Sequence, residues 1–262
     1  MLRYIRLFGY FLRFSFSKAM EFRLDFFFRI VMDTIYYVIN FMFFEVVFLH
    51  TDVLGGWTGN QMRVFVAGFL VVDALSMTLF SNNLWHLSTY VNRGDLDYYL
   101  IRPVSSLFFV SLRDFAANSF MNLIMAAAIG VWALNSYDGT VSFVKVLLFV
   151  IFLVNGAYLR YCVRMMTIIP VFWLHSSQGM EAVFFHLNRF IERPDRIFTG
   201  VTRIILTTIC PFLLMASYPA RIVLEPFNPA VPVTIIAVTL AFTFILGLLW
   251  NAGLRAYASA SS

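Results

Sequence analysis

The stretch Val231-Pro-Val-Thr-Ile-Ile-Ala-Val-Thr-Leu-Ala-Phe-Thr-Phe-Ile-Leu-Gly-Leu-Leu-Trp250 contains twenty residues and no charged side chain. An α-helix needs about 20 mostly apolar residues to cross the hydrocarbon core of a bilayer. This stretch therefore predicts a membrane-spanning helix.

Similar apolar runs occur at 26–49, 64–84, 107–134, 141–159, 163–185 and 201–224. The last two of these runs are interrupted by Pro170, His175, Gln178, Pro211 and Pro219. The segments between the runs are short, which leaves no room for a soluble insert. We therefore predict an all-α polytopic membrane protein with about six transmembrane helices, forming one domain over residues 1–262.

The composition supports this class of protein. Hydrophobic residues make up 61% of the 262 residues and charged residues only 13%, and the mean hydropathy is +0.80. An ordinary soluble domain is roughly one quarter charged. So few charges cannot cover a soluble surface, and the same numbers exclude disordered, collagen-like and disulfide-rich proteins.

The net charge of +5 does not indicate nucleic-acid binding, because the basic residues lie in short groups between apolar runs. Such groups mark the cytoplasmic side of membrane proteins. The sequence contains no zinc-protease, nucleotide-binding or serine-hydrolase motif. We therefore predict no catalytic residue, no metal site and no cofactor in this chain, and we do not expect it to be an enzyme.

The segment 1–25 predicts an amphipathic helix. Its basic residues Arg3, Arg6 and Arg13 fall on one face, opposite apolar residues that include Phe8 and Phe11. A basic amphipathic helix of this kind lies in the headgroup layer of a membrane. The alternative is a cytoplasmic helix that packs on a partner protein.

The distribution of Lys and Arg predicts the orientation. Six basic residues precede or begin the first span: Arg3, Arg6, Arg13, Lys18, Arg23 and Arg29. The loops 50–60 and 135–140 contain an acidic residue and no basic one, so we expect them outside. Arg160 and Arg164 predict a tight cytoplasmic turn. Both termini are then cytoplasmic, in a multi-pass protein of the inner (plasma) membrane.

The alternation of cytoplasmic and outside loops fails at four arginines that follow the run 163–185, namely Arg189, Arg193, Arg196 and Arg203. In one scheme, 163–185 does not span the membrane, and 201–224 becomes the fifth span. In the other, 163–185 spans, and 201–224 dips into the outer leaflet and returns. Both schemes give about six spans.

The most distinctive segment is the loop Val91-Asn-Arg-Gly-Asp-Leu-Asp-Tyr-Tyr-Leu-Ile-Arg-Pro103. A helix beginning at Asp95 would place acidic residues in its first turn, which suits the helix dipole, and Pro103 would end it. Aromatic anchors within a charged rim are typical of a protein interface. A connector that lies on the bilayer surface is an equal alternative from the residues alone.

This loop resembles the loop signature of ABC-2 type permeases, the membrane subunits of ATP-driven exporters. Two further segments resemble the same family. They are Arg203-Ile-Ile-Leu-Thr-Thr-Ile-Cys-Pro-Phe-Leu-Leu-Met-Ala-Ser-Tyr-Pro-Ala220 and Gly253-Leu-Arg-Ala-Tyr-Ala-Ser-Ala260. The closest branch contains uncharacterised permeases with a Gly-Asp/Glu-Leu-Asp loop. One departure is Glu192-Arg-Pro194, where an Arg-Tyr-Pro is usual.

The resemblance implies a permease that works as a homodimer or heterodimer, with two separate cytoplasmic ATPase subunits that hold ATP and Mg²⁺. It implies an elbow helix over 1–25, a coupling helix in the loop 91–106 and a re-entrant segment within 188–230, which favours the second scheme. The ATPase-facing residues are expected to be Arg93, Gly94, Asp95, Leu96, Asp97, Tyr98, Tyr99, Leu100, Arg102 and Pro103. Leu96, Tyr98, Tyr99 and Leu100 are the expected apolar anchors, with Asp95 and Asp97 on the rim.

Charged and amide side chains within the predicted spans are the second set of candidates, because such residues usually face the protein interior. The set comprises Asp33, Glu45, Asp73, Asp114, Asn118 and Asn122. Asp114, Asn118 and Asn122 are spaced four residues apart and are expected on one helix face. They could form a polar wall at the dimer interface that contacts an amphiphilic substrate, or they could only hold helices together.

The function predicted from the sequence is therefore the permease subunit of an ABC exporter, which lies in membrane lipid, forms half of the transmembrane pathway and moves an amphiphilic substrate outward. The alternative is a secondary transporter or a structural membrane subunit without an ATPase. Secondary carriers usually contain internal repeats, and no convincing repeat is present here.

Overall fold

The computed structural model describes residues 2–21, 23–139 and 141–257, and its regular elements within these ranges are helices. The first seven α-helices are α1 (Leu2–Glu21), α2 (Arg23–Phe48), α3 (Gly59–Ser76), α4 (Asn82–Arg93), α5 (Asp97–Leu100), α6 (Ser106–Leu112) and α7 (Ala117–Asn135). They are followed by α8 (Phe143–Ile168), α9 (Val171–Leu174), α10 (Gln178–Asn188), α11 (Gly200–Thr208), α12 (Leu213–Leu224) and α13 (Ala230–Ala256). Five helical segments are long and apolar enough to cross a membrane, and the pair α11–α12 passes the same test only when its two helices are taken together. The chain is an all-α polytopic membrane protein.

The centre of the bundle is the segment Gly59–Arg93, in which α3 and α4 are joined by a π-helical turn at Met77–Ser81. In its most apolar window 78% of the residues are buried within the chain, whereas the corresponding value for α2 is 11%. The helices α7, α8 and α12 pack around α3. At Gly156 a side chain is excluded, since a Cβ would lie 2.1 Å from the carbonyl oxygen of Met215 in α12.

The third span is shorter than the run 107–134 predicts. Helix α6 ends at Leu112, and α7 begins only at Ala117. Asn83 holds the break open by accepting a hydrogen bond from the Asp114 N–H and donating one to the Asp114 carbonyl. The prediction that Asp114 shares a helix face with Asn118 and Asn122 is therefore wrong, because Asp114 lies outside the helix.

The tight turn predicted at Arg160 and Arg164 is also wrong. Both arginines lie inside α8, which continues to Ile168 and, after a short turn, to Leu174. The chain reverses direction only around His175, which has a left-handed backbone conformation with φ of 57°. The run 163–185 is consequently divided between two crossings of the bundle.

The fifth crossing begins at α10. Asn92, near the end of α4, donates a hydrogen bond to the His175 carbonyl. The chain then runs through α10 and a 3₁₀ turn at Arg189–Glu192 to Arg196, which forms a 2.7 Å ion pair with Glu225. These two helical pieces together measure about 24 Å, so the crossing is short and irregular.

Helices α11 and α12 form a re-entrant pair. They are bent by 100° relative to each other, and the residues that flank the pair, Arg196 and Glu225, are in contact. The pair therefore begins and finishes at the same end of the bundle. Among the described residues the chain crosses the bundle six times, as α2, α3–α4, α7, α8–α9, α10 with its 3₁₀ turn, and α13.

The two ends of the bundle can be identified from contacts. At one end, which we call the α1 end, the Tyr4 hydroxyl accepts a hydrogen bond from the Ser105 N–H, and Trp250 of α13 donates one to Ser106. At the opposite end, the far end, Trp57 donates a hydrogen bond to Glu225. The start of α1 and the C-terminal part of α13 therefore both lie at the α1 end, bonded to adjacent residues.

Helix α1 packs lengthwise on α6 and the start of α7. Phe8 and Phe11 contact Phe115 and Phe109 edge to face, with ring centroids 4.9 and 5.2 Å apart. Ser15 accepts a hydrogen bond from the Phe115 N–H. The apolar face of the amphipathic pattern is thus partly used within the chain.

Candidate functional site

The loop at the α1 end forms a single helical turn. Gly94 ends α4 with φ of 78°, a left-handed conformation that glycine adopts without steric cost. Helix α5 covers only Asp97–Leu100. The loop helix is thus shorter than expected and begins at Asp97 instead of Asp95.

Two of the four predicted ATPase anchors are buried inside this chain. Leu96 is 0% exposed and Tyr99 is 4% exposed. The Tyr99 hydroxyl accepts a 2.6 Å hydrogen bond from Arg113, and its ring lies 5.2 Å from that of Tyr90. Burial of the Tyr99 side chain raises its pKa to about 12, and the hydrogen bond with Tyr90 raises it in the same direction by a smaller amount. Leu96 and Tyr99 therefore fix the loop to the bundle and are not accessible anchors, which corrects the prediction.

The accessible apolar residues of the loop are Tyr98, Leu100 and Ile101. Tyr98 is 69% exposed and Ile101 is 74% exposed. Ile101 was not among the predicted anchors, although its spacing could have identified it. Residues three apart share a helix face. Leu96 and Tyr99 therefore lie on the buried face, and Tyr98 and Ile101 lie on the exposed face.

The charged residues of the loop surround this exposed face. Arg93, Arg102 and Pro103 are exposed, and Asp95 and Asp97 are half-buried. Tyr257, just after α13, lies beside these two carboxylates. Burial is the main reason why the pKa of Tyr257 is raised to about 12, and the negative charge of Asp97 is the second reason. The segment that follows the last span therefore contacts the loop.

A basic groove of about 460 Å³ separates α1 from the end of the loop. Its lining residues include Arg3 and Arg6 from α1 and Arg102 from the loop, with Tyr10 and Phe109 between them. Helix α1 carries no acidic residue in its first turn, so Arg3 and Arg6 have no acidic neighbour there that would neutralise their charge. The arrangement is suited to anionic groups.

Within the bundle, Asp73 and Arg160 form a buried ion pair. The Arg160 Nη1 atom lies 2.6 Å from Asp73 Oδ1, and Arg160 Nε donates a 3.0 Å hydrogen bond to Asn188. This network joins three crossings, since Asp73 lies on α3, Arg160 on α8 and Asn188 at the end of α10. Asp73 was predicted as a candidate, whereas Arg160 was missed because it was assigned to a turn.

The other predicted polar residues lie apart from this network. Asp33 accepts a short hydrogen bond from Asn122, which joins α2 to α7. Glu45 pairs with Arg63 through two hydrogen bonds of 2.7 and 2.9 Å. The structure therefore does not bring the predicted candidates together into one wall.

Asp114 and Asn118 complete the set. Asp114 pairs with Lys18 of α1 at 3.3 Å, and the Asn118 amide bonds to Ser119. Asp114 thus connects α1 to the break before α7, while Asn118 is satisfied next to its own position.

Arg164 lies one turn beyond Arg160 in α8, and it has few partners. Its Nη1 donates a 3.3 Å hydrogen bond to Ser81, whereas its buried Nε and Nη2 atoms have no hydrogen-bond partner. The rings of Trp85 and Phe185 lie 5.0 and 5.4 Å from its guanidinium.

Three of the four arginines that do not fit the charge alternation have partners within the chain. Arg203 pairs with the buried Asp195 at 2.6 Å, and Arg196 pairs with Glu225. Arg193 lies over the ring of Phe43 at 4.8 Å. Two of these positive charges are therefore neutralised by carboxylates of the chain, and the third is covered by an aromatic ring.

No group of three or more His, Cys, Asp or Glu residues that could hold a metal ion occurs in the described part of the chain. The two cysteines, Cys162 and Cys210, are both free.

The comparisons with known proteins can be set beside this geometry. No curated protein and no solved structure gives a significant match to the chain. A family profile described as "ABC-2 family transporter protein" matches residues 34–261. This range includes all six crossings except the beginning of α2, together with the loop and the re-entrant pair. The chain belongs to the ABC-2 family of transporter proteins and is a multi-pass membrane subunit of the permease type.

Proposed function

We propose that this chain is the permease subunit of an ABC exporter and that a separate cytoplasmic ATPase binds to the loop 91–106. ATP and Mg²⁺ are held by that partner. The observation that carries the proposal is the exposed pair Tyr98 and Ile101, in a chain of the ABC-2 family.

The buried side of the loop supports this role. Leu96 and Tyr99 hold α5 against the bundle, so Tyr98 and Ile101 lose little conformational freedom when a partner binds. Preorganisation of this kind increases affinity. Arg93, Arg102 and Asp95 surround the apolar centre, as the charged rim of an interface does. Rim charges contribute to register and association rate more than to affinity.

The α1 end is the cytoplasmic end in this proposal. Arg3, Arg6 and Arg13 are exposed on α1, and Arg93 and Arg102 are exposed at the loop. Basic residues next to spans mark the cytoplasmic side. Both termini are then cytoplasmic, and the membrane is the inner (plasma) membrane.

A second permease subunit, identical or related, completes the pathway. Helix α2 buries only a small part of its apolar surface within the chain, which leaves the rest for lipid or for that subunit. Asp33 and Tyr36 lie on α2, and the Tyr36 hydroxyl donates a hydrogen bond to Glu192 beyond α10. The pathway at this interface takes an amphiphilic substrate from the cytoplasmic side and releases it outside.

The test is copurification of the tagged full-length chain from its native membranes, followed by measurement of ATP hydrolysis and identification of the ATPase subunit. The double substitution Tyr98→Ala with Ile101→Ala should weaken ATPase binding by about 2 kcal/mol or more, the loss that is typical of an interface hot spot. Trp173→Ala is the matched control, because Trp173 is an exposed aromatic residue near the same end of the bundle.

Asp95→Asn should weaken binding less, and its effect should shrink at high salt because exposed charges are screened. Normal ATPase binding by the double variant would refute the coupling role of the loop. A chain that transports without any ATPase would instead indicate a secondary transporter.

A further inference from the structure

The guanidinium of Arg164 is the least satisfied buried charge among the described residues. Arg164 is only 6% exposed, and two of its nitrogen atoms have no hydrogen-bond partner. The ion pairs of the described residues include Asp73 with Arg160 but no carboxylate for Arg164. A buried guanidinium normally forms hydrogen bonds through its whole planar fork.

Two aromatic rings cover this guanidinium. Trp85 of α4 and Phe185 of α10 stack on each other with centroids 5.6 Å apart, and both lie within 5.4 Å of the Arg164 Cζ atom. Both rings are exposed on their other side. Cation–π contact offsets part of the missing hydrogen bonding, but it leaves the free N–H groups of Arg164 without acceptors.

The exposed sides of the same two rings line a groove of about 490 Å³. Its rim near the α1 end is polar, with Asn92 bonded to the His175 carbonyl and Ser88 bonded to Ser177 at 2.7 Å. Trp85, Ser88 and Asn92 share one face of α4 and line the groove, so it follows about 10 Å of this helix from its rim to the rings that cover Arg164.

We propose that this groove is an access site for an amphiphile with an anionic phosphate headgroup, which Arg164 binds when Trp85 and Phe185 move apart. The proposal rests on the transport function above and names the class of substrate or lipid that the pathway accepts. The fork of Arg164 can give a phosphate the bidentate contact that it lacks within the chain. The acyl chains of the amphiphile then remain against the aromatic walls.

Glu181 carries a negative charge close to the same groove, so its substitution should have the opposite effect to that of Arg164. It lies on the groove wall, where Ser177 donates a hydrogen bond to its carboxylate. This negative charge opposes an entering anion. Glu181→Gln should therefore strengthen binding of an anionic amphiphile, whereas a loss of positive charge at position 164 should weaken it.

The experiment measures lipid binding to the purified full-length chain in neutral detergent by native mass spectrometry. The probes are dioleoyl phosphatidic acid and, as the zwitterionic comparison, dioleoyl phosphatidylcholine. The wild type should bind phosphatidic acid more tightly than phosphatidylcholine. Arg164→Gln should reduce phosphatidic acid binding about tenfold and phosphatidylcholine binding by clearly less, because the choline cation already neutralises the phosphate of phosphatidylcholine, while Glu181→Gln should increase phosphatidic acid binding.

Arg189→Gln is the matched control, since Arg189 is an exposed arginine just beyond α10, and it should leave both affinities within twofold. Arg164→Lys keeps the charge but not the planar fork, and it should retain an intermediate affinity. If Arg164→Gln does not fold, two measurements still test the proposal: the preference of the wild type for phosphatidic acid, and the increase in phosphatidic acid binding by Glu181→Gln. The absence of either one overturns the proposal.

Inorganic phosphate separates the headgroup from the complete amphiphile. If inorganic phosphate displaces phosphatidic acid at the same concentration at which phosphatidic acid itself binds, the acyl chains contribute nothing and the amphiphile site is refuted. Displacement only at a much higher phosphate concentration, or no displacement, supports the site. Unchanged phosphatidic acid binding by Arg164→Gln would also refute it. Copurification with the ATPase tests the permease function independently, because the groove lies away from Tyr98 and Ile101.

Discussion

Asp195 and Arg164 are both charged and buried, but their surroundings are opposite. Asp195 accepts hydrogen bonds from Arg203 at 2.6 Å and Arg221 at 3.4 Å, and Ser217 donates to its second oxygen at 2.7 Å. Its backbone N–H also donates to Ser217. Arg164 has one side-chain hydrogen bond and two free nitrogen atoms.

The comparison separates two uses of buried charge. The Asp195 network connects the start of the re-entrant region to α11 and α12, and every oxygen of its carboxylate is used inside the chain. A fully satisfied network gives a region a single arrangement. An incompletely satisfied charge lowers stability and persists where function needs it. Four substitutions, from the largest expected effect to the smallest, test this distinction.

Asp195→Ala should give the largest loss, about 4 kcal/mol in the free energy of unfolding. Removal of one partner from a buried ionic network typically costs about 3–5 kcal/mol, because the remaining charges stay uncompensated. Arg221 retains Glu225 at 3.2 Å, which keeps the loss below the upper limit. Unfolding by a denaturing detergent, followed by circular dichroism, measures it. The exposed Asp52, changed to Ala, is the control, and equal stability of the two variants would contradict the structural role of Asp195.

Asp73→Asn should cost about 3 kcal/mol, because it leaves Arg160 buried with only the amide of Asn188 and a weakened contact. The double variant Asp73→Leu with Arg160→Met removes both charges together and should recover most of that loss. The same unfolding assay measures both variants. A double variant as unstable as the single one would show that geometry, and not the uncompensated charge, determines the cost.

Lys18→Gln should cost about 0.5 kcal/mol. The Lys18–Asp114 pair is solvent-exposed on the lysine side, and exposed pairs contribute little because water and salt screen them. The thermal midpoints of the wild type and the variant should differ at low salt and become equal at high salt. A salt-independent loss would place this contact among the buried networks.

Arg164→Met should cost the least: we expect a change of about 0 kcal/mol in the free energy of unfolding, or a small gain in stability. Replacement of a buried charge by an apolar side chain of similar volume is often neutral or stabilising. The unfolding assay applied to Asp195→Ala measures it on the same scale. A loss as large as that of Asp195→Ala would remove the distinction between the two sites.

The boundaries of the fourth and fifth crossings illustrate the limit of prediction from sequence. Arg160 and Arg164 interrupt an apolar run in the way that loop residues do, yet both lie in the interior of α8. Their burial depends on Asp73 and on Trp85, which are far away in sequence. Helix α10 is too short to be identified as a span by length, and only its contacts at both ends show that it crosses the bundle.

The loop 91–106 shows the same limit at the level of single residues. Its composition was sufficient to identify it as a candidate interface. The distinction between Leu96 and Tyr99 on one side and Tyr98 and Ile101 on the other required the packing of Tyr90, Phe109 and Arg113 against Tyr99.

The sequence alone determined that the chain is an all-helical membrane protein, because hydrocarbon requires long apolar helices in which every backbone group is hydrogen-bonded locally. It also predicted the permease family, which the profile over residues 34–261 confirms. The tertiary structure alone decided which charges are buried and which partners they have. Those contacts join residues that are 87 positions apart, as in Asp73 and Arg160, and no local pattern encodes a pairing across that distance.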